Sequence, residues 1–387
     1  MIEGGRLRRM TTAALLVAVA ACAPTSVPTL VPTTTIVIPT ATPAAQTPAP
    51  SGSPATIDPA AIQIHFLDVR YVPADAPISA DGQVLWTAGE NGPSEIWRYV
   101  PGDAEPERIF ASPRGDGAIT ALAGSRAGYA FVEESPKAFG NGGWRLWFLA
   151  GPGVDPIEID RGSAPGAGAA PTLTMDAEHV AWAAFDEPPT GPVSRLRLAT
   201  IGDLPAVRTL IDAPIGSRKL WYPALSGQEL WYATIEPDPA GVSDEFHIER
   251  LELSEPEAPA AVFRGLGHDF NPAVNQRFIV WKTTDPGDAA LNWGTLRVLD
   301  RETDDLRTIP VESANRPSLG DRFVGFDERT HARLEVYDLV TRRVVELGRS
   351  GSAAPTYGGL SLSGSLLTFF TQDGGGQPRI GWAVLPE

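Results

Sequence analysis

Residues 78–86 read Ile78-Ser79-Ala80-Asp81-Gly82-Gln83-Val84-Leu85-Trp86: a short apolar strand, an Asp-Gly turn, and a second apolar strand closed by an aromatic. Asp and Gly tolerate the backbone angles of a tight hairpin turn, so this stretch specifies two antiparallel strands. The same grammar recurs along the chain. Taking the closing aromatic as an anchor gives Trp86, Phe131, Trp182, Trp231, Trp281, Phe326 and Phe369, spaced 45, 51, 49, 50, 45 and 43 residues apart. Turns such as Leu122-Ala123-Gly124, Leu225-Ser226-Gly227 and Leu362-Ser363-Gly364 precede the anchors, and Pro171, Pro223, Pro272 and Pro317 open four of the first strands.

Downstream of each anchor comes a third strand of alternating polarity, for example Ser94 to Val100, Ser194 to Ile201 and Arg333 to Leu339. Period-two alternation predicts strands with one buried face. A fourth strand closes six of the units, as at Glu107 to Phe110, Val207 to Ile211 and Arg343 to Leu347. Four antiparallel strands per repeat make the blade of a β-propeller. The chain is therefore expected to be all-β, with seven blades over residues 58–387; six is the alternative count. The seventh unit ends at Glu387 after three strands, while an alternating segment, Ile62 to Leu67, stands unassigned ahead of the first. That segment is expected to supply the outer strand of blade seven and close the ring, leaving no free seam.

These units resemble the TolB-like, WD40-like propeller repeats of bacterial envelope proteins. Asp81-Gly82 matches the repeat's turn, whereas Gly227-Gln228 and Gln276-Arg277 depart from it. The resemblance implies a propeller, and it does not choose among scaffold, interaction module and enzyme.

The N-terminal sixty residues follow different rules. Arg6, Arg8 and Arg9 precede an apolar run, Ala13 to Ala21, too short to span a bilayer and typical of an export signal. It ends Val19-Ala20-Ala21-Cys22, which resembles the lipobox of bacterial lipoproteins. The resemblance implies cleavage after residue 21 and fatty acylation of Cys22, such as palmitate, and it accounts for the chain's single cysteine. Residues 23–57 hold eight prolines, nine threonines and no charge. Such a composition cannot collapse into a core. Residues 1–21 are thus expected to be a signal peptide and 22–57 a lipid-anchored, disordered Thr/Pro-rich linker. Fully extended, the linker would reach ~110 Å. The expected location is extracytoplasmic, on the cell membrane or the outer membrane, held there by the N-terminal lipid.

A net charge of −16 argues against nucleic acid as a partner. One cysteine excludes an internal disulfide, a CxxC pair and a multi-Cys zinc site. There is no GxSxG elbow and no phosphate-binding loop, since none of Lys137, Lys219 and Lys282 follows glycine at the needed spacing. The histidines His65, His179, His247, His268 and His331 form no HExxH pattern. No metal, cofactor or catalytic set is expected.

In a propeller, the loops joining strand four to the next strand one share a face with the loops joining strands two and three. The first set carries Arg114, Arg161, Arg218, Arg264, Arg316 and Arg349. The second carries acids, among them Glu133, Asp186, Glu236, Asp285 and Asp327. This sorting predicts a basic inner zone at the channel mouth within an acidic rim. Arginine forks suit a carboxylate ligand, such as a uronic acid or a peptide terminus. Candidate ligand-binding residues are Arg161, Arg218, Arg264 and Arg316, with Trp221, Tyr222 and Trp293 for stacking and His268 as base or ligand. The expected function is a binding or scaffolding module for an envelope protein, peptide or glycan. The alternative is a polysaccharide-active enzyme, a glycosidase or lyase, with its site at the channel mouth.

Overall fold

The computed structural model describes residues 57–387 except 70–72, 74–75, 91, 164–169, 238–243, 256–260, 264–267, 285–292, 330, 350–356 and 373–375. The signal, Cys22 and nearly all of the linker lie outside the described residues, as does Arg264. The chain forms seven four-stranded antiparallel sheets. Blade one comprises Ile78–Ala80, Gln83–Ala88, Glu95–Tyr99 and Glu107–Ala111. Blades two to six follow in chain order, and their first strands are Ala118–Ser125, Thr172–Met175, Lys219–Ser226, His268–Val274 and Ala314–Leu319. Successive first strands touch one another around a closed circle, so they line a central channel.

Blade seven joins both ends of the chain. Its first three strands are Tyr357–Ser363, Leu366–Gln372 and Pro378–Val384, and its outermost is His65–Asp68. The register pairs His65 with Trp382 and Asp68 with Arg379, and the His65 ring stacks on the Trp382 ring at 4.2 Å. The seam to blade one is tied by the Ser79 amide, which donates to Ser361 Oγ at 3.1 Å. The closure expected from residues 62–67 is present, displaced by one to three residues.

There is no single core. Seven separate apolar clusters fill the seven blade interfaces, one each. Trp182 faces blade two with Val132 and Leu146, while its neighbours Ala181 and Ala183 face blade four with Leu220 and Tyr232. All seven aromatic anchors are buried, the most exposed being Trp231 at 6%. Because every blade is covered on both faces, the second strands are buried throughout, as at His179–Asp186 and Phe278–Thr284. Trp144 also belongs to such an interface, at 2% exposed.

On the face of the strand-one to strand-two turns, two blades repeat one ion pair. Arg277 binds Asp300 and Arg322 binds Asp338, each through Nε and Nη2. The arginine follows the turn and the aspartate ends strand three, so each pair pins a hairpin to the next strand.

Candidate functional site

Near their starts, the first strands of blades four to seven slip register against their second strands, at Trp221/Ala224, Phe270/Ala273, Asn315/Ser318 and Gly358/Ser361. In the first three, the unpaired residues are Tyr222-Pro223, Asn271-Pro272 and Arg316-Pro317. Proline lacks an N–H and is tolerated in strands at bulges, which corrects the reading that Pro223, Pro272 and Pro317 begin their strands. Tyr222, Asn271 and Arg316 have φ of 49°, 55° and 47°. A left-handed residue is costly for a side-chain-bearing position, and the residue before a proline is normally extended. Paired strand on both sides holds each in place, and the Tyr222 amide is further bound by Thr172 Oγ1 of blade three at 3.1 Å.

These bulges border a cavity of about 560 Å³ at the channel mouth. Trp221, Tyr222, Phe246 and Phe270 form its aromatic wall. Asn271, Asn315, Lys282 and Arg316 supply most of its polar lining, and no carboxylate is among the described lining residues. Lys282 sits on the second strand of blade five, directly opposite Phe270 in register, and is 1% exposed. Its ammonium lies 4.0 Å from the Phe270 ring centroid and donates to Asn315 Oδ1 at 2.7 Å. Burial, and secondarily the charge of Arg316, lower its pKa to about 7.

A second cavity of about 540 Å³ shares Ala76, Asn315 and Arg316 with the first, so Arg316 stands on the wall between them. Asp327 faces this second space at 5% exposed and accepts the Leu360 amide at 2.9 Å. Burial raises its pKa, opposed by that amide and by the charges of Arg316 and His331. Trp293 packs edge-on against His331 here, and His331 Nδ1 is 2.8 Å from the Tyr357 carbonyl.

The sequence candidates divide on this geometry. Trp221, Tyr222 and Arg316 meet at the first cavity, and Trp293 joins Arg316 at the second. Arg161 lies in an outermost strand, paired with Glu158 at 2.6 Å. Arg218 contacts Glu249 and lies 3.5 Å from Glu236. His268 is buried and stacks on Phe246 at 4.4 Å, one layer behind the cavity wall. The expected inner basic zone thus narrows among the described residues to Arg316 and Lys282. Arg114 is met by Glu133 at 2.7 Å and Arg349 by Glu346 at 2.6 Å, and neither lines the two cavities.

Lys282, Asn271 and Asn315 were not among the sequence candidates, and Asp327, expected in an acidic loop, lies within the second strand of blade six. Glu236, His247 and Glu249 place ligating atoms within 4.8 Å of one another. Arg218 already supplies the positive charge beside both carboxylates, so this group is self-contained without a metal.

The sequence matches no protein-family model and no curated protein. Solved structures share its fold. The propeller domain of the Trilobed protease from Pyrococcus furiosus aligns with a TM-score of 0.58 at 8% identity, covering 81% of this chain and 93% of that one. An oligogalacturonate lyase from Vibrio parahaemolyticus gives 0.53 at 10%, covering 84% and 97%. A prolyl endopeptidase gives 0.54 at 15% over 79% of this chain, which spans 46% of the peptidase. Identities this low speak for the fold alone.

Proposed function

We propose that this chain is an exported lipoprotein, anchored through Cys22 and held off the membrane by residues 23–57, whose propeller binds a small anionic ligand at its channel mouth. The observation that carries the binding reading is the first cavity, whose described lining brings two cationic side chains together with four aromatic rings. A carboxylate placed between Lys282 and Arg316 gains charge-assisted hydrogen bonds in a partly desolvated space, while a ring stacks on the aromatic wall. Uronic acids and peptides ending in an aromatic residue both carry that combination. The mixture of rigid apolar walls and few convergent polar groups is that of a small-molecule site.

Calorimetric titration with glucuronate and with N-acetylphenylalanine tests the reading. At least one should bind, and Arg316→Ala should weaken it tenfold or more; failure of both to bind removes the proposal. The anchor is tested separately by fatty-acid labelling of cells, where Cys22→Ala should abolish incorporation and equal labelling would refute acylation.

The enzyme alternative is narrowed by the same lining. A glycosidase needs two carboxyl groups across the scissile bond, and the described walls of the two cavities offer only Asp327. A lyase remains the form that the site favours, with Lys282 as base. Release of an unsaturated product from a polyuronate, monitored by ultraviolet absorbance, would establish it over simple binding.

A further inference from the structure

The chain uses lysine sparingly: three lysines stand against 28 arginines. Lys137 is exposed and Lys219 half-buried, each at the edge of an element, while Lys282 alone is sealed into a cavity wall. Arginine would supply a permanent positive charge there, as it does at position 316. Lysine differs in one chemical respect that matters in such a place: its amine can lose a proton and act as a nucleophile.

The surroundings of Lys282 suit that chemistry. The Phe270 ring covers the amine, and Asn315 Oδ1 fixes its direction. Arg316 is the chain neighbour of Asn315, so its guanidinium is carried by the residue next to the one that Lys282 touches. Desolvation, with the repulsion of Arg316, leaves a substantial fraction of the amine uncharged at neutral pH. A carbonyl compound with an adjacent carboxylate would be oriented by Arg316, with its carbonyl carbon presented to Nζ and the rest of the molecule against Trp221 and Phe246.

The geometry points to Lys282 as a reversible covalent anchor, forming an imine with a 2-oxo acid that carries an aromatic or other flat apolar group. The uncharged Nζ adds to the carbonyl carbon, its two protons pass in turn to the former carbonyl oxygen, and that oxygen departs as water while the C=N bond forms. Neither oxidation nor reduction is involved, and water reverses the step. Asn271 places an amide in the same cavity, where it can donate to the oxygen of the tetrahedral intermediate. This inference rests on the channel-mouth binding reading and adds to it a bond and a ligand class.

Incubating the full-length chain with phenylpyruvate and cyanoborohydride at neutral pH, followed by peptide mapping, tests it. Lys282 should carry the reduced adduct at least tenfold above Lys137 and Lys219. Lys282→Arg should remove it, and Arg316→Gln should slow it severalfold. Phenyllactate has the carboxylate and ring but no carbonyl, so it should protect Lys282 from labelling in the wild-type protein, a readout that needs no variant to fold. Absence of the Lys282 adduct, or equal labelling of the three lysines, overturns the inference. Calorimetry with phenyllactate separates the two levels: binding without an adduct leaves the anionic site standing and removes the covalent step, whereas neither binding nor an adduct removes both.

Discussion

Lys282 carries a cost that the fold does not need. Its pKa falls from 10.5 to about 7 on folding, chiefly through burial. Between those values the unfolded chain holds a proton that the folded chain has released, so folding stability declines as pH falls from 10.5 towards 7 and then levels. Lys282→Met removes this dependence. The stability of the wild type relative to that variant should therefore be greater at pH 9 than at pH 6, by about 3 kcal/mol, in paired chemical denaturation curves. A gap that does not change with pH would show that the amine is not desolvated. Comparing the two pH values cancels the cost of leaving Asn315 without its partner. A signal for this residue was present in the sequence. In the seven repeats the position after the aromatic anchor holds Thr87, Val132, Ala183, Tyr232, Lys282, Asp327 and Phe370, and its two charged members are the ones found at the two cavities. A charge inside an otherwise apolar strand is expensive, and reading down the repeat would have exposed both.

At the scale of elements, strand existence was legible while strand ends and bulges were not. The second strands read as short apolar runs because neighbouring blades cover both of their faces. Glu133, Asp186 and Asp327, assigned to loops by their charge, lie within strands that extend past the apolar core. The prolines at 223, 272 and 317 looked like strand openings, since a bulge has no local sequence mark beyond an X-Pro pair. Arg277 and Arg322, each just after its turn, make the hairpin-to-strand pairs that no spacing rule revealed. Asp338 is fully buried and accepts the Val340 and Thr341 amides at 2.9 and 3.2 Å besides Arg322. Burial alone would raise its pKa, but these hydrogen bonds outweigh it and the net shift is downward. Asp338→Asn should cost about 3 kcal/mol at pH 7, because Arg322 loses its counter-charge. The gap to wild type should shrink as pH drops below the ordinary aspartate range and through the lowered native value, where the wild-type carboxylate is itself protonated. Denaturation curves at neutral and acid pH report both effects, and an unchanged midpoint at pH 7 would remove the pair from the account of stability.

For the whole molecule, the ring was legible because the repeat counts itself: seven anchors, an unfinished last unit and one spare strand at the start. Its stability rests on seven interfaces of similar construction, each shared by two blades, so opening the circle exposes apolar surface on both sides of one seam. Deleting residues 58–70 removes the strand paired with Pro378–Val384 and uncovers Trp382, which His65 now covers. The expected outcome is loss of a single cooperative transition in thermal melting, and an unaltered melting curve would contradict closure as a stabilising device. The ligand-binding face was only partly legible, since sorting charges by loop assumes that every entry arginine points inward. Local acids claim Arg114, Arg161, Arg218 and Arg349, and pairing of this kind is decided by three-dimensional neighbours. The described lining of the channel-mouth cavity sets Arg316 beside a lysine that titrates near neutrality. Calorimetric titration of the full-length chain with phenyllactate, in wild type and Arg316→Ala, from about pH 6 to about pH 9, decides whether Lys282 and Arg316 together hold an anion. Binding should tighten as pH falls towards 7, with proton uptake as the bound carboxylate restores the charge of Lys282, and it should be lost in the variant. Binding that is absent, indifferent to pH, or equal in Arg316→Ala would contradict an anionic site between Lys282 and Arg316.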